Sequence, residues 1–395
     1  MERKNDPTGR GKEPAAPGIL TEEEVLRYGR HLVLPEISVT GQRKLKGASV
    51  LVVGAGGLGS PLALYLAAAG IGRIGIVDPD TVDRSNLQRQ VLYSTSDIGA
   101  PKAAAAKRRI EEINPNVRVD ARRTRLSAAN ALEILAGYDV VADATDNFPS
   151  RYLVNDACVL LGKPNVHGSI FRFEGQVSVF DSRTGPCYRC LYPEPPPPGL
   201  IPSCAEAGVI GVLPGLIGVI QANEAMKIIL GIGEVLLGKL LHYDALRMRF
   251  REIGLRKDPR CPICGKEPRI RELSESGGRA EPCGEAAADP VRDINPRILK
   301  QRLDAGEDLL LLDVREPHEA LICRLRGSVL LPLEEIQGRL GEIDADREVV
   351  VYCHIGVRSR VAAFFLVRRG FRRVWNLAGG VAAWAADVDP EMPVY

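Results

Sequence analysis

The chain lacks the features that would place it on nucleic acid or in a membrane. Its 52 lysines and arginines nearly cancel its 50 aspartates and glutamates, leaving a formal charge of +2 over 395 residues. No basic excess argues for nucleic acid or an anionic bilayer as a partner. Long hydrophobic runs are also missing. The longest, 208–220, is interrupted by Pro214 and closed by Gln221, Asn223 and Glu224. A bilayer span needs roughly 20 apolar residues, so this run reads as a buried core segment. The polar stretch 1–18 has no apolar core of the kind a signal peptide carries, and 1–19 reads as a disordered leader. Nine cysteines in so long a chain do not make a disulfide framework. With no export signal, a reducing, cytoplasmic setting is expected.

What is present suffices for two or three domains with their own cores. A hydrophobic share of 45% and a charged share of 26% are ordinary for a globular protein, and no internal repeat is visible. Within 20–267, strand-like runs at 49–53, 73–77, 117–121 and 140–142 alternate with helix-like segments. That is the pattern of an α/β, Rossmann-like, doubly wound sheet. The run 177–180 breaks a simple parallel alternation, and the proline-rich 193–202 reads as an extended, mobile connection. Residues 268–292, rich in glycine, glutamate and alanine, read as a flexible linker. Beyond it, 293–395 carries strand-like runs at 309–314, 349–352 and 374–377 with helices between, a second and smaller α/β domain.

One ordered series holds most of the chemistry. Gly54-Ala55-Gly56-Gly57-Leu58-Gly59 follows an apolar β-branched run and opens a helix pattern, where backbone N–H groups and the helix dipole can hold phosphate. A second apolar run ends in Asp78, about where a ribose-binding carboxylate belongs. To that point a nicotinamide dehydrogenase fits as well. Ser85-Asn86-Leu87-Gln88-Arg89-Gln90 and Lys102 come next, then Thr145-Asp146-Asn147-Phe148-Pro149-Ser150-Arg151. Hydride transfer has little use for these cations, whereas attack on a phosphoryl group needs them. Singly, Arg89 reads as a surface ion-pair partner, Lys102 as a solvated lysine and Asp146-Asn147 as a helix cap. In order they read as a site.

With Arg27-Tyr28-Gly29-Arg30, this series resembles the ubiquitin-activating-type (E1-like) adenylyltransferases, which include the molybdopterin-synthase and thiamin-pathway activating enzymes. The resemblance implies that Gly57 lets backbone approach ATP and that Asp78 takes the ribose hydroxyls. Asn86, Arg89 and Lys102 would contact the phosphates, with Ser85, Leu87 and Gln88 also in the nucleotide-binding set, and Asp146 would position Mg²⁺ with Asn147 beside it. Arg30 would be supplied to a neighbouring subunit, which implies a homodimer.

The cysteines separate into sites. Cys187-Tyr188-Arg189-Cys190 and Cys261-Pro262-Ile263-Cys264 have the spacing of two zinc knuckles, and four thiolates complete a closed tetrahedral site. A pair of redox dithiols, or unrelated buried cysteines, is the alternative. Cys204, directly after the proline run, is by resemblance the crossover-loop cysteine that attacks the activated carboxyl or resolves an acyl disulfide. On its own it reads as a free surface thiol. Cys353-His354-Ile355-Gly356-Val357-Arg358 lies between a strand-like and a helix-like segment, where N–H donors favour a thiolate or persulfide. Arg358 adds positive charge there or braces the loop. With Leu311-Leu312-Asp313-Val314-Arg315-Glu316, this loop resembles a rhodanese domain, active or serving only for docking. Cys158, Cys283 and Cys323 match no motif.

The combined resemblance implies ATP-dependent adenylation of a ubiquitin-like sulfur carrier protein at a C-terminal Gly-Gly carboxylate. Sulfur transfer from a Cys353 persulfide, charged by thiosulfate or a cysteine desulfurase, then gives a thiocarboxylate. ATP, Mg²⁺ and Zn²⁺ are the implied cofactors. An E1 that activates a ubiquitin-like modifier for protein conjugation, with Cys204 as thioester carrier, is the alternative. A nicotinamide oxidoreductase with a rhodanese module that only binds is a third reading.

Overall fold

The computed structural model describes residues 19–195, 208–274, 291–393 and 395. Cys204, Cys283, most of the proline run, the leader apart from Ile19 and most of the 268–292 segment lie outside the described residues. The chain divides into two compact units, each built on its own sheet.

The first unit is an eight-stranded sheet in the order β3-β2-β1-β4-β5-β6-β7-β8. Strands β1 (Ser49–Val53), β2 (Arg73–Val77), β3 (Arg118–Arg122), β4 (Val140–Asp143) and β5 (Asn165–Phe171) are parallel. Strands β6 (Glu174–Phe180), β7 (Lys239–Asp244) and β8 (Arg249–Gly254) continue the sheet antiparallel. The run 177–180 therefore belongs to an antiparallel extension, which explains why it breaks the alternation. Side-chain direction alternates along a strand, so β1 feeds two cores. Val50 and Val52 pack with the helices Gly59–Ala68 and Lys102–Ile113, whereas Leu51 and Val53 pack with Ala131–Ala136 and Phe148–Leu161. Helices on both faces make the parallel part doubly wound.

The helix Val212–Leu230 is long and apolar enough to cross a membrane, yet it serves as a core helix. Leu213, Ile217, Ala222 and Ala225 are buried in the first core, and Gln221 Nε2 donates to the carbonyls of Asp143 and Val166 at 2.8 and 3.0 Å. Residues 212–220 of the run 208–220 supply its first half, with Leu213, Pro214, Ile217 and Gly218 buried and Val212 exposed.

The second unit is a five-stranded parallel sheet, β11-β10-β12-β13-β9. Its strands are β9 (Arg292–Ile294), β10 (Leu309–Asp313), β11 (Val329–Leu330), β12 (Glu348–Tyr352) and β13 (Val374–Leu377). Val349 and Val351 pack towards the helix Val357–Arg368, and Val350 and Tyr352 towards Pro296–Asp304 and Gly380–Asp387.

Candidate active sites

The order of the first sheet reverses between β1 and β4, the place where α/β sheets open a ligand crevice beyond their C-terminal strand ends. Gly54 leaves β1 at φ +94°, and a Cβ there would meet the Ala144 carbonyl oxygen at 2.8 Å. Only glycine lets the turn after β1 lie against the loop after β4. Asp78 directly follows β2 and is 5% exposed. Its two oxygens accept from Ala55 N and Asp80 N at 2.8 and 2.9 Å, which ties the glycine turn to the second strand. Burial pushes this carboxyl above its ordinary range, against the pull of the Ala55 N–H and the Lys102 charge.

Lys102 is buried rather than solvated, with Nζ 3.2 Å from the exposed Asp80 carboxylate. Arg89 is half-buried beside Gly57, and its guanidinium donates to the Ser85 carbonyl at 3.0 Å. Ser85 and Asn86 form a short turn capped by Asp83. Leu87 packs on the core, and the Gln88 carbonyl closes against Gly211. Asp146 and Asn147 are exposed at the start of Phe148–Leu161, and Asn147 caps that helix by accepting from Ser150 N at 3.0 Å. The strand ends thus bring together the glycine turn, two cations and an exposed carboxylate, a set suited to holding phosphate and a metal ion. Arg30 lies outside this set, exposed on the helix Gly29–Leu32.

A pair that the motifs do not reveal supports the Asp146 loop from behind. Asp143 Oδ1 accepts from Thr145 N and Thr145 Oγ1 at 3.1 and 2.6 Å, and its Oδ2 lies 2.8 Å from His167 Nδ1. Burial pushes the Asp143 carboxyl up, but His167 and Thr145 outweigh it and hold the group below its ordinary range.

The two Cys-x-x-Cys pairs meet. The four Sγ atoms lie within 4.8 Å of one another. Cys187 is 3.9 Å from Cys190 and 3.6 Å from Cys261, and Cys190 is 3.4 Å from Cys264. Disulfide sulfurs sit at about 2.05 Å, whereas thiolates about 2.3 Å from a tetrahedral ion stand about 3.8 Å apart. The spacing fits a metal. Around it, Arg189 pairs bidentately with buried Asp156 at 2.7 Å on both arms, fixing the first knuckle to Phe148–Leu161.

In the second unit, Cys353 follows β12 and precedes the helix Val357–Arg368. Its sulfur is wholly buried and accepts from Gly356 N at 3.2 Å and Ser359 Oγ at 3.4 Å. Gly356 turns the loop at φ +88°, where a Cβ would meet Gly379 N at 2.9 Å. Arg358 is a brace: Nη1 and Nη2 donate to the two Glu319 oxygens at 2.7 and 2.6 Å. Glu319 carries no motif signal, being 39 residues from Arg358. Cys323 supports Arg315 through its carbonyl, and Cys158 is a buried core thiol.

Comparison with known proteins follows this division. A family model described as "ThiF family" matches residues 28–263, and one described as "Rhodanese-like domain" matches residues 295–387. The chain is 48% identical over 394 residues to "Probable adenylyltransferase/sulfurtransferase MoeZ" of Mycobacterium tuberculosis, covering 97% of this chain and 98% of that protein. It is 42% identical over 404 residues to "Adenylyltransferase and sulfurtransferase MOCS3-1" of Zea mays, covering 98% and 86%. It is 59% identical over 258 residues to "Sulfur carrier protein adenylyltransferase" of Thermus thermophilus, covering 64% and 95%. Among solved structures, Escherichia coli MccB with MccA-N7isoASN shares the fold at TM-score 0.55 and 23% identity, over 60% of this chain and 74% of that one.

Proposed function

The chain belongs to the ThiF family of E1-like adenylyltransferases, joined here to a rhodanese-like domain, and on that premise we propose that it makes a sulfur carrier protein thiocarboxylate. It is an adenylyltransferase and sulfurtransferase. The observation that carries the reading is the presence in one chain of a glycine turn at a sheet switch point, with Arg89 beside it and a buried Lys102 close to Asp78, and of a cradled cysteine sulfur.

The C-terminal Gly-Gly carboxylate of a ubiquitin-like carrier attacks the α-phosphorus of ATP, giving an acyl-adenylate and releasing pyrophosphate. Arg89 and Lys102 offset the gathering negative charge, and Gly57 and Asp78 seat the nucleoside end. The exposed Asp146 carboxylate would hold Mg²⁺, which supplies charge neutralisation at the phosphates. The outer sulfur of a Cys353 persulfide then attacks the acyl carbon and AMP leaves, forming an acyl disulfide. A second thiolate, that of Cys204 or another cysteine, attacks the Cys353 sulfur. The carrier thiocarboxylate is released, and the new disulfide is reopened by a thiol reductant. Thiosulfate or a cysteine desulfurase is the proposed source of the persulfide sulfur.

Cys187, Cys190, Cys261 and Cys264 would hold a structural Zn²⁺, a role their separations support. Exposed Leu26, on the helix Glu22–Arg27, and Val33, just after Gly29–Leu32, flank Arg30, which favours a homodimer face that delivers Arg30 to the partner's nucleotide site. The seven described cysteines are all free of disulfides, which suits a cytoplasmic enzyme.

The test is Cys353→Ala. Carrier-dependent ATP–pyrophosphate exchange should persist while thiocarboxylate formation is lost. Equal loss of both would break the division of labour between the two units.

A further inference from the structure

The groups that brace the sulfur loop converge on a residue far from it in sequence. Tyr395 Oη donates to Glu319 Oε1 at 2.8 Å and accepts from Arg315 Nη1 at 3.0 Å. Its ring lies 4.4 Å from the His354 ring at 11°, a parallel stack on the neighbour of Cys353. Arg315 is fixed in turn by both Asp313 oxygens, at 2.9 and 2.7 Å, and by the Cys323 carbonyl at 2.8 Å. Tyr395 therefore joins two buried ion pairs, Arg315–Asp313 and Arg358–Glu319, and lays its ring on the loop. A phenol suits the place because one hydroxyl accepts from a guanidinium while donating to a carboxylate, and the ring offers a face for imidazole.

We infer that Tyr395 is a positioning residue for sulfur transfer: it holds the Glu319–Arg358 brace and the His354 ring, and so keeps the Cys353 cradle closed around the reacting sulfur. This rests on the sulfur-carrying role proposed for Cys353. In that role the Cys353 thiolate attacks the outer sulfur of thiosulfate, the S–S bond breaks, and sulfite leaves with the bonding pair. Cyanide then takes the outer sulfur as thiocyanate and returns the thiolate.

The experiment compares the full-length protein with Tyr395→Phe and Tyr395→Leu. It reads thiosulfate–cyanide sulfurtransferase kinetics and the rate at which iodoacetamide labels Cys353, followed on the peptide by mass spectrometry. Emission from Trp375 and Trp384, both in this unit, checks that each variant folds. The Phe variant keeps the ring and loses the hydroxyl, so kcat should fall about tenfold at unchanged thiosulfate KM, the lower end of what a hydrogen bond to a charged group is worth. The Leu variant loses the stack as well, so KM should rise and Cys353 should label faster than the fully buried wild-type thiol. ATP–pyrophosphate exchange should match wild type in both. Wild-type kinetics and labelling in both variants would overturn the inference. If the wild-type protein transfers no sulfur from thiosulfate, that part of the functional reading fails, and labelling alone decides Tyr395: faster labelling of the Leu variant upholds the closed cradle, and equal labelling refutes it.

Discussion

Replacing Glu319 by glutamine puts the geometry of the sulfur loop to a quantitative test. Glu319 is 4% exposed and its four acceptor positions are filled by two Arg358 donors, Glu316 N and Tyr395 Oη. Burial pushes the carboxyl up, but the Arg358 bonds and charge outweigh it and bring the group down from 4.5 to about 2. The folded state thus binds this proton less readily than the unfolded chain does. The resulting stability is fully present above about 4.5 and is lost as pH falls through about 2. At about 1.4 kcal/mol per tenfold in affinity, the contribution is on the order of 3 kcal/mol. Glu319→Gln leaves the buried Arg358 cation facing an amide, a change that costs about 3–5 kcal/mol in buried pairs. The only two tryptophans, Trp375 and Trp384, lie in this unit, so emission in a urea titration reports its unfolding selectively. With a slope of about 2 kcal/mol per molar, the midpoint should fall by about 2 M at neutral pH. The gap between wild type and variant should narrow as pH drops from 4.5 towards 2. An unchanged midpoint at pH 7, or a gap that does not narrow with acid, would refute the brace.

Other perturbations address the remaining sites. Cys261→Ser should strip bound zinc, read with a chromophoric chelator, and lower the first unit's unfolding temperature; full zinc content would dismiss the four-thiol site. Lys102→Ala should cut carrier-dependent pyrophosphate exchange by about 10² or more, as loss of a preorganised charge does, and near-wild-type exchange would remove it from the crevice chemistry. Asp143→Asn should raise the Mg²⁺ concentration needed for half-maximal exchange and weaken Mn²⁺ binding in the presence of ATP, measured by electron paramagnetic resonance. Unaltered metal dependence would mean that the Asp143–His167 pair does not orient Asp146. Cys204→Ala should leave exchange intact and trap carrier on Cys353 as an acyl disulfide visible in intact mass, whereas normal turnover would assign the release step to another thiol.

Much of this was legible in the sequence where the signal is local. β1 and β2 fall where the apolar runs place them, because each is buried nearly throughout and stops at a glycine or aspartate with a clear structural task. The glycine turn and Asp78 are readable because the strand-to-helix turn of a doubly wound sheet repeats that spacing, whereas Lys102 is marked by the resemblance to the E1-like series. β9 and β11, three and two residues long, are too short to show any periodicity. The antiparallel β8 is exposed along its whole length and offers no apolar face to detect. The contacts near the candidate sites that escaped are those between distant partners: His167 lies 24 residues from Asp143, and Tyr395 lies 76 from Glu319. Such pairs form only when the fold closes, and neither residue sits in a motif that marks it.

The most direct test of the account is an incubation of the purified protein with ATP, Mg²⁺, thiosulfate and a panel of Gly-Gly-ended carrier proteins, followed by intact mass measurement of each carrier. Replacement of one carboxyl oxygen by sulfur, dependent on both ATP and Cys353, is the predicted result and would name the carrier. Adenylation with no sulfur incorporated from thiosulfate or from a cysteine desulfurase would contradict it, leaving the rhodanese-like domain as a docking module.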